Sequence, residues 1–547
     1  MRKKLSDYWI IQGAISALCI CLGAYITYLM LCDYVEEGSK YSGFIMPGCV
    51  VGAIGGLAIL IYFWQDRVHK HIYHEETGRV LSIDRRKYQR KYEDLLEYFK
   101  GADPFKLDIE AYDTIPWYRS HDVILGKVGN HLITRAAGDK GSILVAGLPG
   151  DGKTTGIVIP TAARFGGSVL CVDIKGDILT AVKQIAPKRK IAVFNPSDPT
   201  GYHFNPFEGV GEMDQTRVEV LITNMAQILI PDEESKDAKF FIDGARAFFI
   251  GIFFFFYEKS AKDIPFMGFV NAILQNSFEV WLKTVQEKGG ETSKKYLISF
   301  IGANAQNTGG QYSKLCESLR TLTLGALPEL LNGNGKAISP SMLQKGTDVY
   351  IHLEQDLIKE YSAITTLICS SFMRYWMRLT DNTLKKPRPT IMILDEFAQM
   401  HFQSDMITGA LATLRSKGVT LMIIVQSLAQ LQKNYGEKDA RTIAENCAYK
   451  CILSAGDPQS MKYFSDLFGT RRVLKVSTSK GDKNSDSKSS SEDKEEIFKP
   501  AEFAALNAMG EGGKVVIQAN GSYVLADKCF WFKDIEKLKA RKRSGKK

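Results

Sequence analysis

The feature that most constrains the fold is the segment GLPGDGKT, which begins at Gly147. It fits the pattern G-x-x-x-x-G-K-[ST], a loop whose backbone N–H groups bind phosphate oxygens when a strand precedes it and a helix follows. An apolar run at residues 142–146 precedes the loop. A helix can begin at Thr154, although Pro160 is poorly tolerated inside it. The sequence therefore predicts a strand–loop–helix unit of an α/β nucleotide-binding domain.

The residue types of this loop assign parts of the ligand. Lys153 supplies a positive charge to the outer phosphates, and the Thr154 hydroxyl is placed to bind Mg²⁺. As a solvated loop side chain, Lys153 is expected to contribute little to core packing. The competing interpretation is a glycine-rich turn with an exposed lysine. The predicted contacts with ATP come from Gly147, Leu148, Pro149, Gly150, Asp151, Gly152, Lys153, Thr154 and Thr155.

A second motif, TIMILDEFAQM at residues 390–400, is an apolar strand that ends in adjacent carboxylates. Asp395 is predicted to hold the Mg²⁺ shell, and Glu396 to polarise an attacking water. The competing interpretation is an acidic N-cap for the next helix. A protein that only binds nucleotide would not need Glu396, so the pair favours hydrolysis.

A third apolar strand, at residues 419–427, brings Gln426 to its end. In an open α/β sheet, ligands bind outside the carboxyl ends of the strands, so Gln426 is expected beside the glycine-rich loop and the two carboxylates. Its amide can sense the terminal phosphate or orient water. A strand-capping amide is the structural alternative.

Arg415 lies near the end of the helix that precedes this strand, with Gly418 as the expected C-cap. A cation at a helix C-terminus is favourable in itself. A helix end that leads into a parallel strand lies at the opposite edge of the sheet, too far from the nucleotide of its own subunit. Arg415 is therefore predicted to complete the site of a neighbouring subunit in a ring.

Two uncharged stretches, residues 9–31 and 44–64, are each long enough to cross a bilayer. Lysines and arginines flank them on the outer sides, at MRKK before the first stretch and RVHKH after the second. This distribution predicts two spans with both termini in the cytoplasm. A signal peptide is the alternative for the first stretch, but its apolar part is too long.

The composition excludes some classes of protein but does not identify one. A chain of 547 residues suggests two or three domains, and a net charge of +9 only hints at anionic partners. The ten cysteines form no CxxC pair, so neither a zinc ribbon nor a disulfide framework is supported.

Further motifs carry a resemblance to a known family. Besides LDEFAQM, they are CVDIKGD (171–177), FNPF (204–207), IIVQSLAQLQKNYG (423–436) and NCAYKCILSAGDPQSMKYFSDLFG (446–469). With these segments, nearly the whole chain resembles the coupling ATPases of type IV secretion and conjugation, the TraG/TraD kind within the FtsK/HerA superfamily. One departure is Asp177, where the family more often has glutamate.

The resemblance implies an α/β fold: a RecA-like P-loop domain with an inserted all-α domain and two N-terminal transmembrane helices. It also implies ATP and Mg²⁺ as cofactors and a homo-oligomeric ring, expected to be a hexamer. The implied partners are DNA, a relaxase-type protein substrate, components of the secretion channel and the cytoplasmic membrane.

Domain boundaries follow from these motifs and from composition. We expect a membrane anchor (1–66), a juxtamembrane connector (67–130), the nucleotide-binding domain (131–211 and 340–530) and an all-α insert (212–339). The aromatic block FFIGIFFFF within the insert is too short for a membrane span and is expected to be a buried helix. A Ser-rich segment (477–496) is predicted to be a loop or a disordered segment. A basic tail (531–547) is either a solvated terminus or a site for nucleic acid or anionic lipid.

The resulting hypothesis is a membrane-anchored ring ATPase that couples ATP hydrolysis to moving DNA or a DNA–protein complex into a secretion channel. A motor that delivers protein only, a DNA translocase of the FtsK kind, and a membrane receptor that binds ATP without hydrolysing it remain as alternatives.

Overall fold

The computed structural model describes residues 71–73, 80–82, 107–111, 123–128, 131–135, 139–233, 235–259, 264–333, 335–380, 387–480, 486–510, 512–519 and 522–533. The chain divides into two compact units, residues 1–105 and 106–547. In the first unit the described residues form one antiparallel pair, β1 (His71–Tyr73) and β2 (Val80–Ser82). The two predicted membrane spans, and the tail beyond residue 533, lie outside the described residues.

The second unit is built on a twelve-stranded mixed sheet. Its strands in chain order are β3 (Leu107–Ala111), β4 (Ile124–Val128), β5 (His131–Arg135), β6 (Ile143–Ala146), β7 (Ser168–Ile174), β8 (Lys190–Phe194), β9 (Thr347–Leu353), β10 (Thr390–Leu394), β11 (Val419–Val425), β12 (Tyr449–Ile452), β15 (Lys514–Ala519) and β16 (Ser522–Asp527). Their order across the sheet is β3-β5-β4-β16-β15-β12-β6-β11-β10-β7-β9-β8.

The seven strands from β12 to β8 pair in parallel, and the other pairings are antiparallel. The central strands β6, β7, β10 and β11 are buried along their whole length, as expected for parallel strands covered on both faces. Because β11 lies between β6 and β10, its end lies between the glycine-rich loop and the paired carboxylates.

The helix after the glycine-rich loop accommodates Pro160 by starting in two stages. Residues Thr154–Val158 form a π-helical turn, in which the Ile159 N–H donates to the Thr154 carbonyl, and α1 (Ile159–Arg164) follows. Pro160 thus falls in the first turn of α1, where a missing N–H breaks no helical hydrogen bond. The expected strand–loop–helix unit is therefore present without a clash at the proline.

Between β8 and β9 the described chain is helical. The helices are α3 (Gln215–Leu229), α4 (Lys236–Lys259), α5 (Phe266–Gln275), α6 (Phe278–Lys288), α7 (Glu291–Leu297), α8 (Ala305–Arg320), α9 (Leu327–Leu330) and α10 (Pro340–Gln344). Outside this region, the helices that connect or follow strands are α2 (Asp177–Ile185), α11 (Ser362–Arg378), α12 (Ser404–Thr413), α13 (Leu428–Asn446), α14 (Pro458–Phe468) and α15 (Pro500–Ala505).

The aromatic block lies in α4, which is longer than the block alone suggested. By length and composition, 23 of its residues could cross a membrane, but 61% of its most apolar window is buried inside the fold. Phe248, Phe249, Phe253 and Phe254 have no exposed surface and pack edge-to-face against other rings of the insert. The expectation of a buried helix is therefore confirmed, whereas the argument from insufficient length is wrong.

Two predicted boundaries differ from the structure. The connector expected at 67–130 contributes β3 and β4 to the large sheet, so this part belongs to the nucleotide-binding unit. The segment 477–496, predicted to be a loop, forms most of an antiparallel pair, β13 (Thr470–Lys480) with β14 (Asp486–Glu496). Antiparallel strands satisfy each other's backbone hydrogen bonds, so a polar segment can pair without apolar residues to bury.

Candidate functional site

A cavity of about 870 Å³ lies at the carboxyl ends of the parallel strands β6, β7, β9, β10 and β11. Open α/β sheets bind their ligands at this edge. The cavity brings together most of the residues that the sequence singled out, namely Pro149, Gly150, Gly152, Lys153, Thr154, Thr155, Asp395, Glu396 and Gln426. Three separate motifs therefore form one site.

The glycine-rich loop adopts a conformation that requires glycine. Gly150 and Gly152 have φ angles of 84° and 80°, a region that side chains with a β-carbon rarely enter. Lys153 is only 8% exposed, and its Nζ donates to the carbonyls of Gly147 (2.6 Å) and Leu148 (3.0 Å). The expectation of a solvated lysine is therefore wrong, because the loop folds around the ammonium group.

Burial lowers the pKa of Lys153, and the nearby carboxylates of Glu396 and Asp395 partly oppose that shift. Lys153 therefore brings a buried positive charge to the cavity that Glu396 and Asp395 also line. Its charge is poorly solvated in this structure, so a polyphosphate that replaces water there gains a strong electrostatic contact.

Asp151 stabilises the loop instead of facing the cavity. Its carboxylate is 5% exposed, accepts the Leu148 N–H at 2.7 Å and is hydrogen-bonded to the Ser454 hydroxyl, which also accepts from the Leu148 N–H. Leu148 itself points outward, with 38% of its surface exposed. Nine residues of the motif were predicted to contact ATP. Three of them, Gly147, Leu148 and Asp151, do not line the cavity and instead support the conformation of the loop.

The paired carboxylates differ sharply in environment. Asp395 is 7% exposed, and its burial, together with the charge of Glu396, raises its pKa to about 7. Glu396 has a left-handed backbone conformation with a φ of 50°, which is uncommon for a residue other than glycine. Its N–H donates to Asp395 Oδ1 at 3.1 Å, so the two residues form a tight turn at the end of β10.

Gln426 holds the carboxylate of Glu396 from the neighbouring strand. Its Nε2 lies 3.0 Å from each of the two carboxylate oxygens of Glu396. This contact was not foreseen from the sequence, which placed Gln426 near the terminal phosphate or a water. The amide instead fixes the direction of the carboxylate proposed to activate water.

The structure adds cavity residues that motif reasoning did not assign to the site. Lys175, with a φ of 98°, and Lys359 bring two further cations to its wall. Lys175 belongs to the segment CVDIKGD, so a lysine between a strand end and a glycine was the available signal. Lys359 follows β9 without a recognisable motif. The remaining additions are Ile174, Asp177, Gln355, Asp356, Ile358, Glu360 and Gln399.

Arg415 lies away from this cavity, at the amino ends of the strands. It follows α12 in a turn that ends at Gly418, whose φ is 77°. Its guanidinium is 61% exposed and pairs with Asp139 at 3.0 Å. Burial acts to raise the pKa of Asp139, but hydrogen bonds from Tyr449 and the Gly141 N–H lower it. Arg415 therefore contacts an acidic residue that precedes β6 in the same chain.

The donor set of the cavity fits a hydrated Mg²⁺ ion. The Thr154 hydroxyl and the Asp395 carboxylate are hard oxygen ligands, and Mg²⁺ commonly completes its shell with phosphates and water. In the described part of the chain, no group of three or more His, Cys, Asp and Glu side chains could hold a metal by itself. With Thr154 and Asp395 as its protein ligands, Mg²⁺ would need further oxygen ligands from phosphates or water.

Comparison with known proteins gives consistent matches. The type IV secretion system-coupling protein VirD4 of Bartonella henselae is 24% identical over 394 residues, which are 69% of this chain and 61% of that protein. The conjugal transfer protein TraG of Agrobacterium fabrum is 22% identical over 400 residues, 68% of this chain and 58% of that protein. The chain thus spans about three fifths of the length of these relatives.

Among solved structures, the bacterial conjugative coupling protein TrwBdeltaN70 aligns with a TM-score of 0.58 at 16% identity, covering 75% of this chain and 88% of that chain. TrwB in complex with the ATP analogue ADPNP gives the same TM-score and covers 79% and 96%. At this identity, the likeness shows a shared fold. A family model described as "Type IV secretory system Conjugative DNA transfer" matches residues 116–546. Because this match covers most of the chain, the protein belongs to the conjugative DNA transfer family of type IV secretory systems.

Proposed function

We propose that this protein is a membrane-anchored ATPase that works as a homo-oligomeric ring, expected to be a hexamer. It couples ATP hydrolysis to the movement of DNA or DNA–protein substrates into a type IV secretion channel. The observation that carries the hydrolytic part is the contact of Gln426 with both carboxylate oxygens of Glu396, at the edge of the cavity that contains the phosphate loop.

The binding step follows from the loop. Its N–H groups and the buried Lys153 would hold the β- and γ-phosphates, and Lys175 and Lys359 add positive charge to the wall of the same cavity. A Mg²⁺ ion between Thr154 and Asp395 would neutralise charge that develops on the phosphates. Lys153 now donates to two loop carbonyls, so nucleotide binding exchanges these contacts for phosphate oxygens.

The chemical step falls to Glu396. It follows β10 in a left-handed conformation, and Gln426 donates to both oxygens of its carboxylate and so fixes the carboxylate's direction. A carboxylate held in this way can accept a proton from a water that attacks the γ-phosphorus. No rearrangement of β10 is required, because the strand end already presents the group at the cavity.

The transport role is supported by family membership and by the names of the relatives. VirD4 and TraG are named for type IV secretion coupling and conjugal transfer, and TrwB for conjugative and plasmid coupling. By the same reasoning, the partners proposed for this chain are DNA, a relaxase-type protein bound to it, channel components and the cytoplasmic membrane. The two uncharged N-terminal stretches supply the proposed anchor.

Glu396→Gln tests the hydrolytic proposal. We expect ATP to bind nearly as well as to the unchanged protein, while steady-state phosphate release falls by about 100- to 10,000-fold, because the substitution removes the proton acceptor but keeps the shape. Glu287→Gln, on an exposed face of α6 in the insert, is the matched control and should leave the rate unchanged. Equal loss of binding and turnover would instead assign Glu396 to metal binding or to the turn.

A transfer assay tests the substrate. Cells whose only copy carries Glu396→Gln should lose transfer of a mobilisable plasmid, while the variant remains in the membrane fraction. If DNA transfer persists and only export of a protein substrate is lost, the protein-only alternative is correct. Normal transfer by a protein that does not hydrolyse ATP would support the receptor alternative.

A further inference from the structure

The segment after β16, residues 528–533, packs directly on the phosphate loop. A β-carbon at Gly152 would lie 2.9 Å from Cε1 of Phe530, and one at Gly156 would lie 3.1 Å from Cβ of Lys528. The first distance is shorter than real Cβ atoms show and the second is tighter than most of their contacts, so a side chain at either glycine would force this segment to shift. The segment that follows the last strand of the sheet thus packs against the start of the helix after the phosphate loop.

This packing occupies a different flank of the loop from the catalytic residues. Gly152 and Gly156 are four residues apart and share one face of the helical turn, whereas Lys153 donates to the loop carbonyls from within. Segment 528–533 is not part of the cavity wall that Glu396 and Lys175 form. With the outer phosphates on the catalytic side, a nucleoside that extends toward the other flank would meet this segment.

Phe530 is held in place there while part of its surface stays accessible. Lys528 is only 2% exposed, and its Nζ donates to Asn507 Oδ1 at 2.7 Å, which anchors the segment. The ring of Phe530 is half-buried, and the ring of Phe532, 45% exposed, lies 5.5 Å away between centroids. Lys533 Nζ lies 5.5 Å from the centroid of Phe530. Phe530 therefore borders the loop, and a second ring and a cation lie beside it.

We propose that Phe530, with Phe532 beside it, is the surface on which the purine base of the bound nucleotide stacks. The inference rests on the proposed function as an ATP-binding protein and adds the residues that recognise the base. Stacking uses the face of the base, which all purines share, so this surface favours a purine over a bare phosphate chain without reading its edge.

The test compares ATP with inorganic tripolyphosphate, which has the phosphates but lacks the base. In the full-length chain, Phe530→Ala should weaken ATP binding by roughly 5- to 100-fold, the range measured for loss of base stacking, and leave tripolyphosphate binding unchanged. Phe530→Tyr keeps the ring and should retain ATP affinity. Phe240→Ala, a 53% exposed ring in the helical insert, is the matched control.

The outcomes separate the two proposals. If Phe530→Ala weakens ATP and tripolyphosphate equally, the ring only supports the loop and the stacking proposal is wrong. The same conclusion holds if ATP binding does not change. If the unchanged protein binds neither ligand, the proposed function fails as well. Equal thermal midpoints of the variants without ligand would establish that the fold is intact.

Discussion

At the scale of single residues, the site buries charged side chains, which core packing alone would leave exposed to water. Lys153 and Asp395 are both less than 10% exposed, and Glu396 keeps a left-handed backbone that is unfavourable for a glutamate. Such a backbone costs about 1–3 kcal/mol and persists only where neighbouring contacts enforce it. Here the Glu396 N–H donates to Asp395 and Gln426 holds the carboxylate, so the strained residue is fixed at both its backbone and its side chain where the chemistry is proposed.

Asp395 provides a prediction in pH. Its pKa of about 7 exceeds the ordinary value of 3.8, so between these values the folded state holds a proton that the unfolded state has lost. The free energy of unfolding of the metal-free protein should therefore fall as pH rises through that window, by at most about 1.4 kcal/mol per pH unit from this group.

Asp395→Asn removes this titration. Without metal, the variant should have a higher thermal midpoint than the unchanged protein at pH 8 and a similar one near pH 4. Added Mg²⁺ with nucleotide should stabilise only the unchanged protein, and more strongly at pH 8 than at pH 6, because the ion requires the carboxylate. A midpoint difference that does not vary with pH would show that Asp395 does not titrate in this window.

At the scale of elements, α13 braces the turn that carries the carboxylates. Tyr435 donates from its hydroxyl to the Met400 carbonyl at 3.1 Å, and its ring stacks 5.5 Å from that of Phe397. Asn434 Nδ2 donates to the Ala398 carbonyl. Directly afterwards, Gly436 interrupts the helix with a φ of 75° and a ψ of 163°. The break allows the helix to change direction after Tyr435 has docked.

We expect Gly436→Ala to destabilise the protein by about 1–3 kcal/mol, because this backbone region is essentially restricted to glycine. A β-carbon at Gly436 would have open space around it, so the effect would be conformational and not steric. The thermal midpoint and the rate of phosphate release should both fall, because Asn434 and Tyr435 hold residues 398–400 in place. Gly309→Ala, within α8 and in ordinary contact distance of Phe278, should be neutral or stabilising. An unchanged midpoint for Gly436→Ala would show that α13 tolerates the substitution by rearranging.

At the scale of the whole molecule, the position of Arg415 bears on assembly. The cavity lies at the carboxyl ends of the parallel strands, whereas Arg415 lies at their amino ends and pairs with Asp139. The Arg415 side chain of this pair is 61% exposed, whereas Asp139 is only 14% exposed and keeps hydrogen bonds from Tyr449 and the Gly141 N–H if Arg415 leaves. Arg415 could therefore exchange Asp139 for a neighbour's phosphate, and a ring would bring the two edges together.

Subunit mixing tests this arrangement. Arg415→Ala and Lys153→Ala should each be nearly inactive alone, and mixed rings should regain part of the ATPase rate. The recovery arises at interfaces where an intact Lys153 meets an intact Arg415 from the next subunit. A fluorescence label confirms exchange of subunits. No recovery despite exchange would contradict the assignment in trans, and an Arg415→Ala protein with normal activity would leave Arg415 as a helix-end cation.

The sequence by itself determined the parts of this protein that are local in the chain. The phosphate loop, the buried strands that lead to Asp395 and Gln426, and the buried aromatic helix were readable because spacing and hydrophobic pattern reflect backbone geometry directly. The resemblance to coupling ATPases rested on further contiguous motifs, and the family match agrees with it.

Only the tertiary structure decided what depends on contacts between distant segments. It placed the Gln426 amide on Glu396, turned Asp151 toward Ser454, buried Lys153, and brought Lys359 and Phe530 to the phosphate loop. It also paired the Ser-rich segment as strands, since backbone pairing there needs no apolar pattern. The physical reason is common to all of them: the partner of a side chain, and hence its burial and pKa, is fixed by sheet order, which no short stretch of sequence encodes.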